Sequence, residues 1–189
     1  CSRQKKESFT RVSISEIFTD SLSIRAIVAQ DTSRVWFAAN RGVVGLVDGN
    51  TPKLATVTYD NKLLHFRAIT KTQDAVFVLS IDTPAVLYKI DVKDNQATTM
   101  QEVYLETGEG VFYDAISFWN DQEGIAMGDP IGGCLSIIIT RDGGDSWSKL
   151  SCDVLPSVVV GEAAFAASNS NIAIYGDHTW IVTGGMRAR

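Results

Sequence analysis

The sequence of 189 residues contains few of the residue types that mark particular function classes. It has two histidines, three cysteines, and fewer basic than acidic residues (17 against 22). The resulting net charge of -5 disfavours nucleic acid as a partner, because phosphate binding needs a surplus of Lys and Arg. No apolar run approaches the roughly 18–20 residues of a membrane-spanning helix. No glycine-rich phosphate loop joins a strand pattern to a helix pattern, so nucleotide-dependent oxidoreduction has no support and we expect no cofactor.

The cysteines lack the closely spaced pairs of a zinc site, and we expect no bound metal. Cys134 and Cys152 lie at equal distances from a predicted turn centred near Gly143, where residues of an antiparallel ladder face each other. They can form a disulfide, which an exported protein would preserve, or remain two separate small apolar side chains.

The third cysteine, Cys1, precedes a run of polar residues, as in a bacterial lipoprotein after removal of its signal peptide. We therefore expect lipidation of Cys1 and a periplasmic or outer-membrane-associated protein whose contact with the membrane is the lipid anchor alone. The alternative is an arbitrary fragment boundary.

Residues 1–10 are polar and predict a flexible tail, whereas 11–189 carry the pattern of a folded domain. Short apolar runs rich in Val, Ile, Phe and Trp alternate with Gly, Asp and Asn, and no stretch keeps apolar residues at helical spacing. This pattern predicts an all-β fold.

An internal repeat refines that prediction. Four segments align on a charged residue followed by alanine, and these residues are 42, 47 and 48 positions apart: Arg25, Arg67, Asp114 and Glu162. Such periods fit the four-stranded blades of a β-propeller. We expect blades over 23–59, 65–105 and 112–151, with a fourth opening at 162, and a strand over Arg11–Phe18 that completes the last blade. About three and a half blades cannot close a ring, so we expect a truncated chain.

One turn carries a specific motif. Residues 140–147 match the pattern Ser/Thr-x-Asp-x-Gly-x-Ser/Thr-Trp, the Asp-box, at Thr140, Asp142, Gly144, Ser146 and Trp147. The aspartate accepts backbone N–H bonds across a tight turn, glycine supplies a positive φ, and tryptophan packs beneath the hairpin. The motif therefore predicts a structural role. Weaker versions lie at 47–50 and 91–95.

Together with this motif, segments 112–119, 124–130, 155–156, 161–168 and 183–185 resemble a family of exported bacterial propellers similar to photosystem II stability/assembly factors. The resemblance covers roughly 20–189 and is strongest from 112 onward. It implies a propeller fold and export. Some members carry oxidoreductase or glycosyl hydrolase labels, but no shared chemistry can be transferred by residue.

The starts of the inner strands and the turns between second and third strands share one face of a propeller. The expected polar residues at this channel mouth are Arg25, Arg67, Asp114 and Glu162, flanked by Arg41 and Asp129. The two arginines of the ring could clamp an anionic group while the two carboxylates perform acid–base chemistry or bind a cation. Alternatively, these charges neutralise one another at the rim.

We expect a non-catalytic scaffold that binds a protein or glycan partner at the cell envelope. The alternative is a sialidase-like glycoside hydrolase, which would need a third arginine, supplied by Arg187 or Arg189, and a tyrosine nucleophile paired with Glu. Tyr113 adjoins Asp114, but strand alternation directs the two side chains to opposite faces. No catalytic residue is assigned, and His65 and His178 are expected to have ordinary surface roles. A degenerate gene fragment is a third interpretation.

Overall fold

A computed structural model describes residues 10–19, 21–164 and 169–186. In chain order, the first sheet comprises β1 (Ile24–Ala29), β2 (Arg34–Ala39), β3 (Val43–Asp48) and β4 (Thr51–Thr56). A short hairpin follows, formed by β5 (Thr58–Tyr59) and β6 (Lys62–Leu63). The second sheet comprises β7 (Phe66–Lys71), β8 (Ala75–Ser80), β9 (Ala85–Lys93) and β10 (Gln96–Glu106).

The third sheet comprises β11 (Tyr113–Phe118), β12 (Gly124–Ile131), β13 (Cys134–Thr140) and β14 (Ser148–Lys149), followed by a 3-10 turn at Cys152–Val154. The last elements form two strand pairs, β15 (Glu162–Ala163) with β18 (Gly184–Gly185) and β16 (Ile172–Tyr175) with β17 (His178–Ile181). All pairings are antiparallel, and each four-stranded sheet is a meander of consecutive strands. The all-β prediction is confirmed, and each of the three predicted repeat segments folds as one four-stranded antiparallel sheet. None of these sheets closes on itself.

The sheets pack face against face, which explains the composition of their central strands. Every residue of β8 is buried. Val76 and Val78 belong to the core shared with the first sheet, whereas Phe77 and Leu79 belong to the core shared with the third. Since successive side chains of a strand point to opposite faces, a strand covered on both faces is apolar throughout. The first strands β1, β7 and β11 lie side by side.

The predicted strand over Arg11–Phe18 is wrong. No strand is assigned within this segment, and Val12, Ile14 and Phe18 are more than 80% exposed. Alternation of apolar side chains is a local property, whereas a strand also needs a hydrogen-bonded neighbour, and none of the described strands pairs with this segment. In the fourth repeat, β15 pairs with β18.

A disulfide joins Cys134 and Cys152, with their Cα atoms 5.5 Å apart. It ties the start of β13 to the 3-10 turn that follows β14, so it closes the outer hairpin of the third sheet. Cys1 lies outside the described residues, as do Arg187 and Arg189. No described helix has the length and apolar character needed to cross a membrane.

Candidate functional site

The first strands of the three four-stranded sheets share a backbone irregularity. Strand pairing shifts between Ile24 and Ala26, between Phe66 and Ala68, and between Tyr113 and Ala115. The extra residues inserted by these bulges are Arg25, Arg67 and Asp114. A bulge inserts one extra residue into a strand and changes the direction of its side chain. The charged residues that recur in the sequence are therefore the bulged residues of three equivalent strands.

A repeated backbone hydrogen bond brings the adjoining turns to the same end of each sheet. The carbonyl before each bulged strand accepts an N–H from the residue after the second strand or near its end. The pairs are Asn40 N to Ser23 O at 3.2 Å, Ile81 N to His65 O at 3.0 Å and Asp129 N to Phe112 O at 2.8 Å. This end of the sheets carries Arg41, Asp82 and Asp129.

Asp114 is the most unusual side chain at this end. It is 0% exposed, and neither carboxylate oxygen has a hydrogen-bond partner among the described residues. Burial raises the pKa of Asp114, the negative charge of Asp129 adds to the shift and the positive charge of Arg67 opposes it, and the three effects together place the pKa at about 7. Near neutral pH, the Asp114 carboxyl is therefore divided between its protonated and ionised forms.

Asp129 lies in a bulge of β12, between the paired residues Gly128 and Pro130. One of its carboxylate oxygens accepts the backbone N–H of Ala164 at 2.8 Å. Partial burial raises the pKa of Asp129, and this hydrogen bond acts in the opposite direction. Asp129 thus places a second carboxyl within electrostatic range of Asp114 while connecting the third sheet to the start of the fourth repeat.

His65 extends the cluster towards the first sheet. The Arg67 Nε lies 3.5 Å from the His65 Nε2 and donates to it. Burial lowers the pKa of His65, the charges of Arg67 and Arg25 lower it further, and Asp82 opposes them. His65 therefore accepts a hydrogen bond as a neutral imidazole. From the sequence we expected His65 to have a surface role. Its position two residues before the repeated charged residue Arg67 could have predicted its place in this cluster.

Two of the six predicted site residues do not join this cluster. Glu162 pairs directly with Gly185, without a bulge, so its register corresponds to Tyr113 rather than Asp114. Its buried carboxylate accepts the N–H of Val159 at 3.0 Å and the hydroxyl of Thr183 at 2.7 Å. Arg41 is exposed in the turn between β2 and β3, with a φ of 59°. Glu162 therefore does not take the register of Asp114, although the two residues align in the sequence on the following alanine.

Asn169 is a further residue that sequence reasoning missed. Its side-chain Oδ1 accepts the N–H of Ile116 in β11 at 2.8 Å, and its Nδ2 donates to the carbonyl of Ile69 in β7 at 2.8 Å. One amide thus bridges the backbones of two neighbouring first strands. Its φ of 57° lies in the left-handed region, which asparagine tolerates better than most residues.

The turn over 140–147 is held by hydrogen bonds between its own polar side chains and backbone. Asp142 accepts from the Ser146 N–H at 3.0 Å and from the Ser146 hydroxyl at 2.6 Å, and Thr140 Oγ1 accepts the Gly144 N–H at 3.0 Å. The hydrogen bond from the Ser146 side chain leads the effects that lower the pKa of Asp142 to about 2. Trp147 is buried beneath this turn, so these residues stabilise the hairpin.

A second polar cluster lies between the second and third sheets. The hydroxyls of Tyr104 and Tyr113 both donate to one oxygen of Glu106, at 2.6 and 2.8 Å, and Lys149 pairs with the other oxygen. Burial raises the pKa of both tyrosines, and hydrogen bonding with Glu106 adds to the shift. Tyr113 therefore remains a neutral donor that points towards Glu106, while Asp114 occupies the bulge.

The described parts of the chain contain no group of three or more His, Cys, Asp or Glu residues that could hold a metal ion. No protein-family model, curated protein or solved structure matches this chain.

Proposed function

We propose that this chain is a β-propeller module that binds a protein or glycan partner without catalysis at the bacterial cell envelope. Three consecutive four-stranded meanders with adjacent first strands support the propeller. The recurrence of a bulged charged residue at the same place in all three supports a common site at one end. The Cys134–Cys152 disulfide supports an oxidising compartment, since such bonds persist mainly in exported proteins.

The unsatisfied carboxyl of Asp114 is the observation that carries the binding proposal. A buried polar group without a partner costs roughly 1–3 kcal/mol of stability. Buried polar groups in folded proteins are rarely left in this state without a functional reason. Because Asp114 is fully buried, a hydroxyl, amide or ammonium group of a partner supplies the missing donor only when this end of the sheets opens to admit it. Exposed Arg25 and half-buried Arg67 would donate to acceptors on the same partner.

Binding to an immobilised glycan panel tests the glycan form of this proposal. Wild type is compared with Asp114→Asn and Arg67→Ala, and with Arg141→Ala as a control on an exposed turn remote in sequence from the bulges. We expect binding of a polar glycan that falls at least about tenfold in the first two variants and is unchanged in the third, since each hydrogen bond to a charged group contributes about 1.5–3 kcal/mol.

A photo-crosslinking amino acid in place of exposed Arg41 tests the protein form in an envelope extract. We expect a discrete crosslinked species that Asp114→Asn removes, whereas the same probe in place of Arg141 gives none. If no glycan binds and no crosslink depends on Asp114, the proposed binding function is wrong.

A glycoside hydrolase is the second candidate, favoured by the same residue. A general acid needs a carboxyl that remains protonated near neutral pH, and Asp114 has a pKa of about 7 beside a second carboxyl, Asp129. The sialidase-like form is disfavoured, because burial raises the pKa of Tyr113 and its hydroxyl donates to Glu106, which leaves the phenol a weak nucleophile.

Turnover of 4-methylumbelliferyl glycosides distinguishes the two candidates. A binding module releases no fluorophore even where it binds the corresponding glycan. A hydrolase releases it, and Asp114→Asn lowers kcat by about 100-fold or more, since general acid catalysis contributes about 10²–10⁴-fold. Tyr113→Phe would leave kcat unchanged in a hydrolase that uses Asp114 alone.

A further inference from the structure

Trp147 fills the outer gap between the second and third sheets. Such a gap between two adjacent sheets is here called a wedge. This side chain is buried, and its ring lies at centroid distances of 6.4 Å from Phe77 of β8 and 5.7 Å from Phe118 of β11. Both contacts are edge-to-face, the arrangement that aromatic pairs prefer. The tryptophan that follows the polar turn thus closes the outer gap between two sheets.

The register of the second sheet places Met100 at the position that Trp147 takes in the third. In the third sheet, Ile139 pairs with Ile125 on one side and with Ser148, the residue after Trp147, on the other. In the second sheet, the equivalent residue Lys89 pairs with Phe77 on one side and with Gln101 on the other. Met100, the residue before Gln101, therefore corresponds to Trp147. Met100 is 48% exposed, whereas Trp147 is 8% exposed.

Because the second sheet has Met100 where the third sheet has Trp147, the wedge between the first and second sheets is not filled. An open cavity of about 520 Å³ lies there. Its walls include Trp36, Leu54, Val57, Ile90 and Met100. By the same register, Trp36 of β2 is the equivalent of Phe77, the residue that Trp147 contacts in the neighbouring wedge. The cavity therefore has one aromatic wall and lacks the aromatic ring that faces this wall in the other wedge.

Exposed apolar side chains in the wall of the cavity indicate what would cover it. Leu54 is 53% exposed and Met100 is 48% exposed, whereas Trp36 is 5% exposed. The indole N–H groups of Trp36 and Trp147 both lack a hydrogen-bond acceptor within the described parts of the chain, so this property does not distinguish the cavity from the filled wedge. A planar aromatic molecule would lie against Trp36 and cover the apolar atoms of Leu54 and Met100.

We propose that this cavity is a binding site for a planar aromatic small molecule. Its volume lies in the range of about 300–1,000 Å³ typical of small-molecule sites. The lining combines apolar side chains with the polar residues Lys53, Thr56, Asn95, Gln96, Thr98 and Thr99. In such sites burial gives affinity and a few polar groups fix orientation. The site is separate from the Asp114 cluster and does not depend on the function proposed for that cluster.

Titration with prodan tests the proposal, because prodan is a planar naphthalene with a ketone acceptor and an emission that reports the polarity of its surroundings. We expect saturable binding of one molecule to wild type. Met100→Trp should fill the wedge as Trp147 does and lower the affinity at least about tenfold. Gln101→Trp is the matched control, since the adjacent side chain points to the other face of the strand and should leave affinity unchanged. Equal affinity in wild type and Met100→Trp would overturn the proposal.

The Trp36 indole N–H signal in a ¹H–¹⁵N NMR spectrum gives a readout that does not depend on how well Met100→Trp folds. The signal is identified by its loss in Trp36→Phe, which keeps an aromatic wall and removes the donor. We expect prodan to shift this signal saturably, because Trp36 lines the cavity. An unshifted signal at saturating prodan, or no saturable binding to wild type, would show that the cavity is not such a site.

Discussion

Arg67 and Asp114 occupy equivalent bulges in neighbouring sheets, and burial raises the pKa of Asp114 although the charge of Arg67 acts in the opposite direction. The two residues lie 47 positions apart in the sequence and share one structural place in successive repeats. Because desolvation outweighs the favourable charge, the ionised form of Asp114 destabilises the folded protein.

Asp114→Asn should change how stability depends on pH. The folded pKa of about 7 lies above the ordinary aspartate pKa of 3.8, so wild type loses stability as pH rises between these values. The loss amounts to a few kcal/mol, at about 1.4 kcal/mol per pKa unit. Urea unfolding at pH 4 to 8 should show this loss in wild type and not in the variant. The exposed Asp94→Asn is the control, and a profile of Asp114→Asn parallel to wild type would contradict the assignment.

Gly144→Ala should be more destabilising than Gly143→Ala. Both glycines have a positive φ, +80° and +72°, so both substitutions carry the cost of about 1–2 kcal/mol for a left-handed alanine. A Cβ on Gly144 would also lie 2.3 Å from the Phe77 ring, whereas one on Gly143 meets nothing closer than 3.3 Å. We expect a further loss of roughly 1–3 kcal/mol for Gly144→Ala, from overpacking. Equal midpoints in denaturant unfolding would show that Phe77 moves aside freely.

The repeat spacing predicted the three sheets because each repeat contains its own strands and turns, so the pairing within a sheet is nearly local. The bulged residues Arg25, Arg67 and Asp114 were found for the same reason, since each precedes a buried alanine in its own repeat. Arg11–Phe18 shows the limit of such reasoning. Its alternation fits a strand, but the partner that a strand requires is not encoded within the segment.

The candidate site was only partly predictable because register and distant contacts are not local. Glu162 aligned with Asp114 on the following alanine, but only the pairing of Glu162 with Gly185 and of Ala163 with Gly184 reveals that no bulge separates these two residues of β15. Asn169 could not be found from its own surroundings, since its partner Ile69 lies 100 positions earlier. One extra residue in a strand redirects a side chain without altering the hydrophobic pattern that sequence analysis uses.

Replacing both Cys134 and Cys152 by Ala should lower the free energy of unfolding by about 3 kcal/mol. This is the value expected for a disulfide between cysteines that are 18 residues apart in the sequence. Guanidinium unfolding of wild type and the double variant measures the difference without reductant. With dithiothreitol present, wild type should fall to the stability of the double variant, which itself should not change. Indistinguishable midpoints without reductant would mean that the bond does not form in the protein.

Asn169→Ala should weaken the contact between the second and third sheets, because it removes the donor to Ile69 and the acceptor for Ile116. We expect a loss of roughly 1–3 kcal/mol beyond that of Asn95→Ala, a matched control at an exposed turn with a φ of 63° against 57°. Asn169→Asp keeps an acceptor for Ile116 and loses the donor to Ile69. Hydrogen exchange of the Ile116 amide should therefore accelerate in Asn169→Ala and much less in Asn169→Asp. If exchange at Ile116 is the same in all three proteins, the side chain does not bridge the two strands, and the adjacency of β7 and β11 must depend on apolar packing alone.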